Sequence, residues 1–275
     1  MRLATLRLEG ETATVRVDSD TSATVIDGYA DLSELLNDAD WRAVAERAAG
    51  MAIDLAGADY APVVPSPGKI ICVGLNYAQH IKEMGRELPA YPTLFAKFRE
   101  ALVGANDVVV VPSYAAAQLD WEGELAFVVG KAAYQVAEAD AEQYIAGYSV
   151  MNDYTMRDYQ YRTPQWDQGK TFEKTSGFGP FLTTTDAYTF GGRLETTLDG
   201  ELVQSTTTDD LVFSPATLVD YISHILTLHP GDVVATGTPG GVGHARTPAR
   251  YIQDGQTVAV SIEGLGTVQN TTMIK

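Results

Sequence analysis

The sequence predicts a mixed, β-rich α+β fold, a sheet-dominated roll or sandwich with a small N-terminal domain. Three observations point there. Short runs of β-branched residues recur beyond residue 69, each punctuated by Gly, Pro or Asp. The long helices that a regular βα alternation requires are missing. A proline-rich connector, Ala61-Pro62-Val63-Val64-Pro65-Ser66-Pro67-Gly68, separates those runs from a shorter leading unit.

Taken in order, residues 1 to 18 alternate as a hairpin does, with Gly10 at the turn, and helical patterns follow near 31–37 and 40–49. Residues 1–65 are thus expected to form a small α+β domain with its linker, and residues 66–275 the larger domain. Within the latter, strands are expected at 70–73, 108–111, 125–129, 233–236 and 257–262, with one clear helix over 137–145.

Composition narrows the function. With 45% hydrophobic residues in 275, the chain can fill a substantial core. Its net charge of −17 and sequence pI near 4.5 provide no phosphate-binding footprint, which argues against nucleic acid as a partner. An anionic substrate must then be held by a few local cations. The single cysteine, Cys72, excludes an internal disulfide, and its apolar neighbours Ile70, Ile71 and Val73 mark a core thiol rather than a nucleophile. No stretch reaches the length of a membrane span and no signal-peptide core opens the chain, so a cytoplasmic location is expected.

Three carboxylates carry the chemistry. Glu122 and Glu124 precede the apolar run Leu125-Ala126-Phe127-Val128-Val129, and Asp153 lies in Met151-Asn152-Asp153-Tyr154. Strand side chains alternate faces, so Glu122 and Glu124 project to one side, roughly 7 Å apart at the backbone. A run longer than simple alternation implies a strand covered on both faces, and buried carboxylates need a cation. Oxygen donors without a Cys/His cluster suit Mg²⁺, or Mn²⁺, better than zinc. The glycine between the two glutamates, Gly123, acquires no role from the sequence.

A second grouping is Asn76-Tyr77-Ala78-Gln79-His80-Ile81-Lys82-Glu83-Met84-Gly85, where Asn76 can cap a short helix and Gly85 can end it. His80 and Glu83 then share a face, so the carboxylate can orient the imidazole as a base. Cations follow Asp153 closely, at Arg157 and Lys170. The loop Thr236-Gly237-Thr238-Pro239-Gly240-Gly241 offers backbone N–H groups with little bulk, as an anion-binding nest does.

In this order, these segments resemble the fumarylacetoacetate hydrolase family, especially its smaller members. The resemblance spans roughly residues 69–273 and includes Asp254-Gly255-Gln256-Thr257-Val258 and Ile262-Glu263-Gly264-Leu265-Gly266. It implies a β-sandwich roll, a homodimer, and Mg²⁺ or Mn²⁺ held by Glu122, Glu124 and Asp153. It also implies polar substrate contacts at Arg157, Gln160 and Lys170, a carboxylate-binding loop at Gly237 and Thr238, and His80 with Glu83 on a lid. The stretch Arg162-Thr163-Pro164-Gln165-Trp166-Asp167 is not tied to any substrate by the resemblance.

The activity expected first is Mg²⁺-dependent hydrolysis of a carbon–carbon bond in a 2,4-dioxo acid of the acylpyruvate or fumarylpyruvate type, in aromatic or keto-acid catabolism. His80 would activate the water and Lys170 would stabilise the developing enolate. The same residues suit decarboxylation of oxaloacetate, or decarboxylation and isomerisation of an unsaturated dioate. The alternative from another class, an inactive metal-binding scaffold, leaves Lys170 and the His80–Glu83 pair without a task.

Overall fold

The structure is a computed structural model that describes residues 1–83 and 87–275; residues 84–86, and the side chains of residues 80, 82 and 83, lie outside the described set. Two sheets dominate. The larger runs, edge to edge, through Ala52–Asp54, Ser22–Val25, Glu11–Val17, Arg2–Leu8, Ser176–Thr184, Ile145–Asn152, Gly123–Val129, Val233–Ala235, Ile70–Gly74 and Thr93–Lys97, with Leu102–Val103 beside Ser176–Thr184. The smaller contains Glu201–Thr207, Arg193–Leu198, Thr257–Ile262, Gly266–Ile274 and Val109–Val111. The mixed, sheet-rich class expected from the sequence is what the chain adopts.

The strand Gly123–Val129 is buried along its whole length and lies near the middle of the large sheet. Its odd-numbered residues Leu125, Phe127 and Val129 join the core shared with Val258, Val260 and Val268 of the smaller sheet. Ala126 and Val128 join the opposite core, with Met151, Leu182 and the helical residues Leu32, Leu35 and Trp41. Both faces are covered, as its continuous apolar run requires. Gly123 gains a role here. A Cβ at this position would fall 2.3 Å from Thr196 Oγ1 and 2.9 Å from Val260 Cγ1, so the glycine lets the two sheets approach beside the acidic residues.

The expected hairpin is present as Arg2–Leu8 and Glu11–Val17, turning through Glu9 and Gly10, both at positive φ. Short helices at Leu32–Leu35 and Trp41–Glu46 follow. The division after residue 65 stays a proposal. The leading strands have a core of their own, around Ala4, Leu6, Val15 and Leu55, yet Arg2 and Leu3 pair with Thr183 and Leu182 and so continue the large sheet.

Three local expectations need correction. The helix expected over 137–145 is a run of 3₁₀ turns, Glu138–Tyr144, that buries only Ala141; without a continuous apolar stripe, little holds it in the α form. Among the described residues the longest α-helix instead spans Pro215–Ile225, where Ser214 Oγ accepts from the Thr217 N–H at 3.1 Å and Pro215 opens the first turn. Finally, Asn76 does not cap the helix Ala78–Glu83. Its amide reaches Thr236 O and Phe213 O, while Asp210 receives the Ala78 and Gln79 N–H groups. The proposed stop at Gly85 lies outside the described residues.

Candidate active site

Strand register assembles the acidic cluster. Glu124 pairs across with Met151 and Gly123 with Asn152, so Glu122 falls opposite Asp153, whose N–H donates to Glu122 O at 2.9 Å. Alternation along one strand and pairing with its neighbour thus put all three carboxylates on one face. Their oxygens lie within 4.8 Å of one another, and all three residues are buried.

Cations meet this charge. Lys170 Nζ donates to Glu122 Oε2 at 2.5 Å and to Asp153 Oδ2 at 2.8 Å. Arg157 Nη1 lies 2.7 Å from Glu122 Oε1 and donates to Gln160 Oε1 at 2.9 Å, and its Nε donates to Asp120 Oδ2 at 2.8 Å. Lys97, which sequence reasoning missed, places Nζ 2.8 Å from Asp153 Oδ1 and also donates to Ser176 Oγ and to the Lys170 carbonyl. Its only signal was a lysine ending the apolar strand Thr93–Lys97.

The cluster sets Asp120, Glu122, Glu124 and Asp153 against Lys97, Arg157 and Lys170, one positive charge short of balance. Glu124 takes the consequence: burial first, then repulsion from Asp153 and Glu122, pushes its carboxyl well above the usual range. Burial also raises Asp153, but Lys170 and Lys97 outweigh it and hold that carboxyl low. Burial works against the Lys170 ammonium too, yet Asp153 and Glu122 prevail and keep its proton on. Lys170 is therefore a donor and a positive charge, not a base.

A divalent cation fits these residues. The donor set is three hard oxygens; Asp153 Oδ1, fully buried, lacks an aligned hydrogen bond even with Lys97 close by; and Glu124 is the carboxyl that a further positive charge would relieve.

Above the cluster opens a cavity of about 310 Å³, lined in part by Phe95, Arg157, Gln160, Trp166, Lys170 and Thr238. Trp166 belongs to the stretch that the sequence left without a role. It packs edge-on to Phe95, with ring centroids 5.4 Å apart, and is seated by Gly74, where a Cβ would come 2.4 Å from its ring. The loop residues expected to bind substrate have internal partners. Gly237, at φ 98, donates its N–H to Glu124 Oε2 at 2.9 Å, and Thr238 Oγ1 donates to Gly123 O at 3.0 Å and accepts from Gln204. The backbone of His80 and Glu83 lies in the helix Ala78–Glu83, but their side chains, and with them the expected catalytic pair, lie outside the described residues.

The buried acidic cluster on a two-sheet scaffold defines a family of enzymes. Residues 69–273 match the model of the fumarylacetoacetate (FAA) hydrolase C-terminal family, and the chain belongs to that family. Among its relatives, oxaloacetate tautomerase YisK of Bacillus subtilis is 39% identical over 216 residues, covering 77% of this chain and 71% of that protein. The mitochondrial oxaloacetate tautomerase Fahd2a of Rattus norvegicus is 40% identical over 210 residues, covering 75% and 67%. Among solved structures, 5-carboxymethyl-2-hydroxymuconate delta-isomerase from Mycobacterium smegmatis superposes with a TM-score of 0.84 at 30% identity, over all of both chains. No helix among the described residues is long and apolar enough to cross a membrane.

Proposed function

We propose that this chain is a divalent-metal-dependent enzyme that moves a proton between carbon and oxygen of a small 2-oxo acid, with oxaloacetate as the first substrate to test. The observation that carries this reading is the ammonium of Lys170, buried and proton-bearing between Glu122 and Asp153, where it can meet the oxygen of an enol or enolate. The relatives that act on oxaloacetate favour tautomerisation over the hydrolysis expected first.

A divalent ion held by Glu122, Glu124 and Asp153 supplies Lewis-acid polarisation of the keto oxygen when bound. The chain's own groups do the rest. Lys170 Nζ donates toward the oxygen on which negative charge develops. Arg157, also held charged because Glu122 and Asp120 outweigh its burial, fixes the orientation of Glu122 and Gln160. Phe95 and Trp166 give the cavity an apolar wall beside these groups, a surrounding in which their field is stronger than in water. The family resemblance, which makes His80 a base, gives it the proton at carbon.

An ultraviolet assay with enol-oxaloacetate, an acylpyruvate and fumarylpyruvate, each with Mg²⁺ and with EDTA, tests the reading. It expects metal-dependent ketonisation of oxaloacetate well above the rate with free Mg²⁺. Turnover of the acylpyruvate alone would restore the hydrolase reading. Activity undiminished by EDTA would remove the metal from the account.

A further inference from the structure

At the cavity rim, one histidine is held more firmly than an exposed residue requires. Asp120, fully buried, accepts from the N–H groups of Gly243 at 2.7 Å and His244 at 2.9 Å while also receiving Arg157 Nε at 2.8 Å. A single carboxylate thereby ties the His244 backbone to the guanidinium beside Glu122. Gly243 permits the approach: a Cβ there would lie 1.8 Å from Arg250 O and 2.8 Å from Asp120 Oδ1. The imidazole is held twice more. Its Nδ1 lies 3.0 Å from the Tyr251 hydroxyl, and its ring packs on Tyr161 with centroids 5.1 Å apart and planes inclined by 35°.

His244, Tyr161 and Ala245 line the cavity together with the acidic cluster. Among the described residues Nε2 of His244 has no hydrogen-bond partner. If the Tyr251 hydroxyl donates to Nδ1, the ring proton resides on Nε2, which becomes a donor. The cationic groups of the cavity wall, Lys170 and Arg157, lie at the acidic cluster. Lys170 is bound to Glu122 and Asp153; Arg157 is bound to Asp120, Glu122 and Gln160, while its buried Nη2, 2.8 Å from Asp120 Oδ2, lacks an aligned hydrogen bond. A second anionic group on a ligand, remote from the acidic cluster, finds the unpartnered Nε2 of His244 at the rim.

We propose that His244 is a specificity-determining residue, whose Nε2 donates to a carboxylate at the end of a 2-oxo acid remote from the acidic cluster. Tyr251 and Asp120 are its positioning residues. The site therefore selects 2-oxo dicarboxylates over 2-oxo monocarboxylates. This inference rests on the 2-oxo acid reading above and deepens it by naming the substrate class.

Binding calorimetry on the Mn²⁺-loaded protein separates the two. The probes are 2-oxoglutarate and 2-oxopentanoate, which have the same chain length and differ in the distal carboxylate. The parent protein is expected to prefer 2-oxoglutarate by roughly tenfold or more, the scale of one hydrogen bond to a charged group. His244→Ala should bring that ratio near one and leave 2-oxopentanoate affinity unchanged, and His244→Gln, which keeps an N–H donor, should retain part of it. An undiminished preference in His244→Ala, or none in the parent, overturns the role of His244 and leaves the 2-oxo acid reading standing. A parent protein that binds neither probe overturns that reading, and this inference with it.

Discussion

At the scale of single residues, Glu124 is the sharpest test, because burial and its acidic neighbours make its carboxyl the one that a bound cation would relieve most. Glu124→Gln keeps the shape and an acceptor for the Gly237 N–H but removes the charge. Mn²⁺ affinity, read by calorimetry, is expected to fall by roughly 100-fold or more, beyond the usual 10- to 100-fold effect of losing a group that only supports a ligand. An unchanged affinity would reject the site. Cys72 gives a second test. It is fully buried, and burial, aided by Asp153, pushes its thiol well above the ordinary value of 9.0. An acid whose folded value is raised loses stability once the unfolded chain begins to ionise. The thiol's contribution should therefore be neutral below pH 8 and turn destabilising through pH 9 and above. Iodoacetamide should label Cys72 only under unfolding conditions, whereas rapid labelling of the native protein would place the thiol at a reactive site. Glu122 and Glu124 were legible as a pair because strand alternation is written in sequence spacing, and Asp153 joined them through the family resemblance. Lys97, Asp120 and His244 were not, since each reaches the site through contacts between strands and loops distant in the chain.

At the scale of elements, the strand Gly123–Val129 carries the site because both its faces are packed. Gly123 marks the closest approach of the two sheets, so Gly123→Ala forces Thr196 and Val260 aside. Overpacking of this kind costs about 1–3 kcal/mol, and the melting temperature should drop by several degrees. A melting curve that matches the parent would show that the smaller sheet yields freely. The sequence hid this role because a glycine between two glutamates looks the same whether or not a second sheet lies above it. The helix Pro215–Ile225 was overlooked for a different reason: its Ser-Pro start reads equally as a turn. The segment at 137–145 has helix-forming residues, but no buried stripe to fix an α-helix.

For the whole molecule, the sheet-rich class and the boundaries of the family match, 69–273, were readable from punctuated β runs and ordered motifs. The joining of the leading hairpin to the large sheet through Arg2 and Thr183 was not, since no local pattern reports which edge a strand will meet. Metal binding should stabilise the whole fold. At a Mn²⁺ concentration 100 times the dissociation constant, linkage contributes about 2.7 kcal/mol. Scanning calorimetry should accordingly show a rise of roughly 5–10 °C that EDTA reverses and that Glu124→Gln lacks. An equal rise in that variant would place the ion elsewhere. The central claim, that the buried carboxylates and Lys170 form a metal centre for enol chemistry, meets its most direct test in stopped-flow decay of enol-oxaloacetate absorbance during Mn²⁺ titration. The account predicts a rate that rises with occupancy of a single site and falls to the free-metal background in Glu124→Gln. A parent protein no faster than free Mn²⁺, or a variant as fast as the parent, would contradict it.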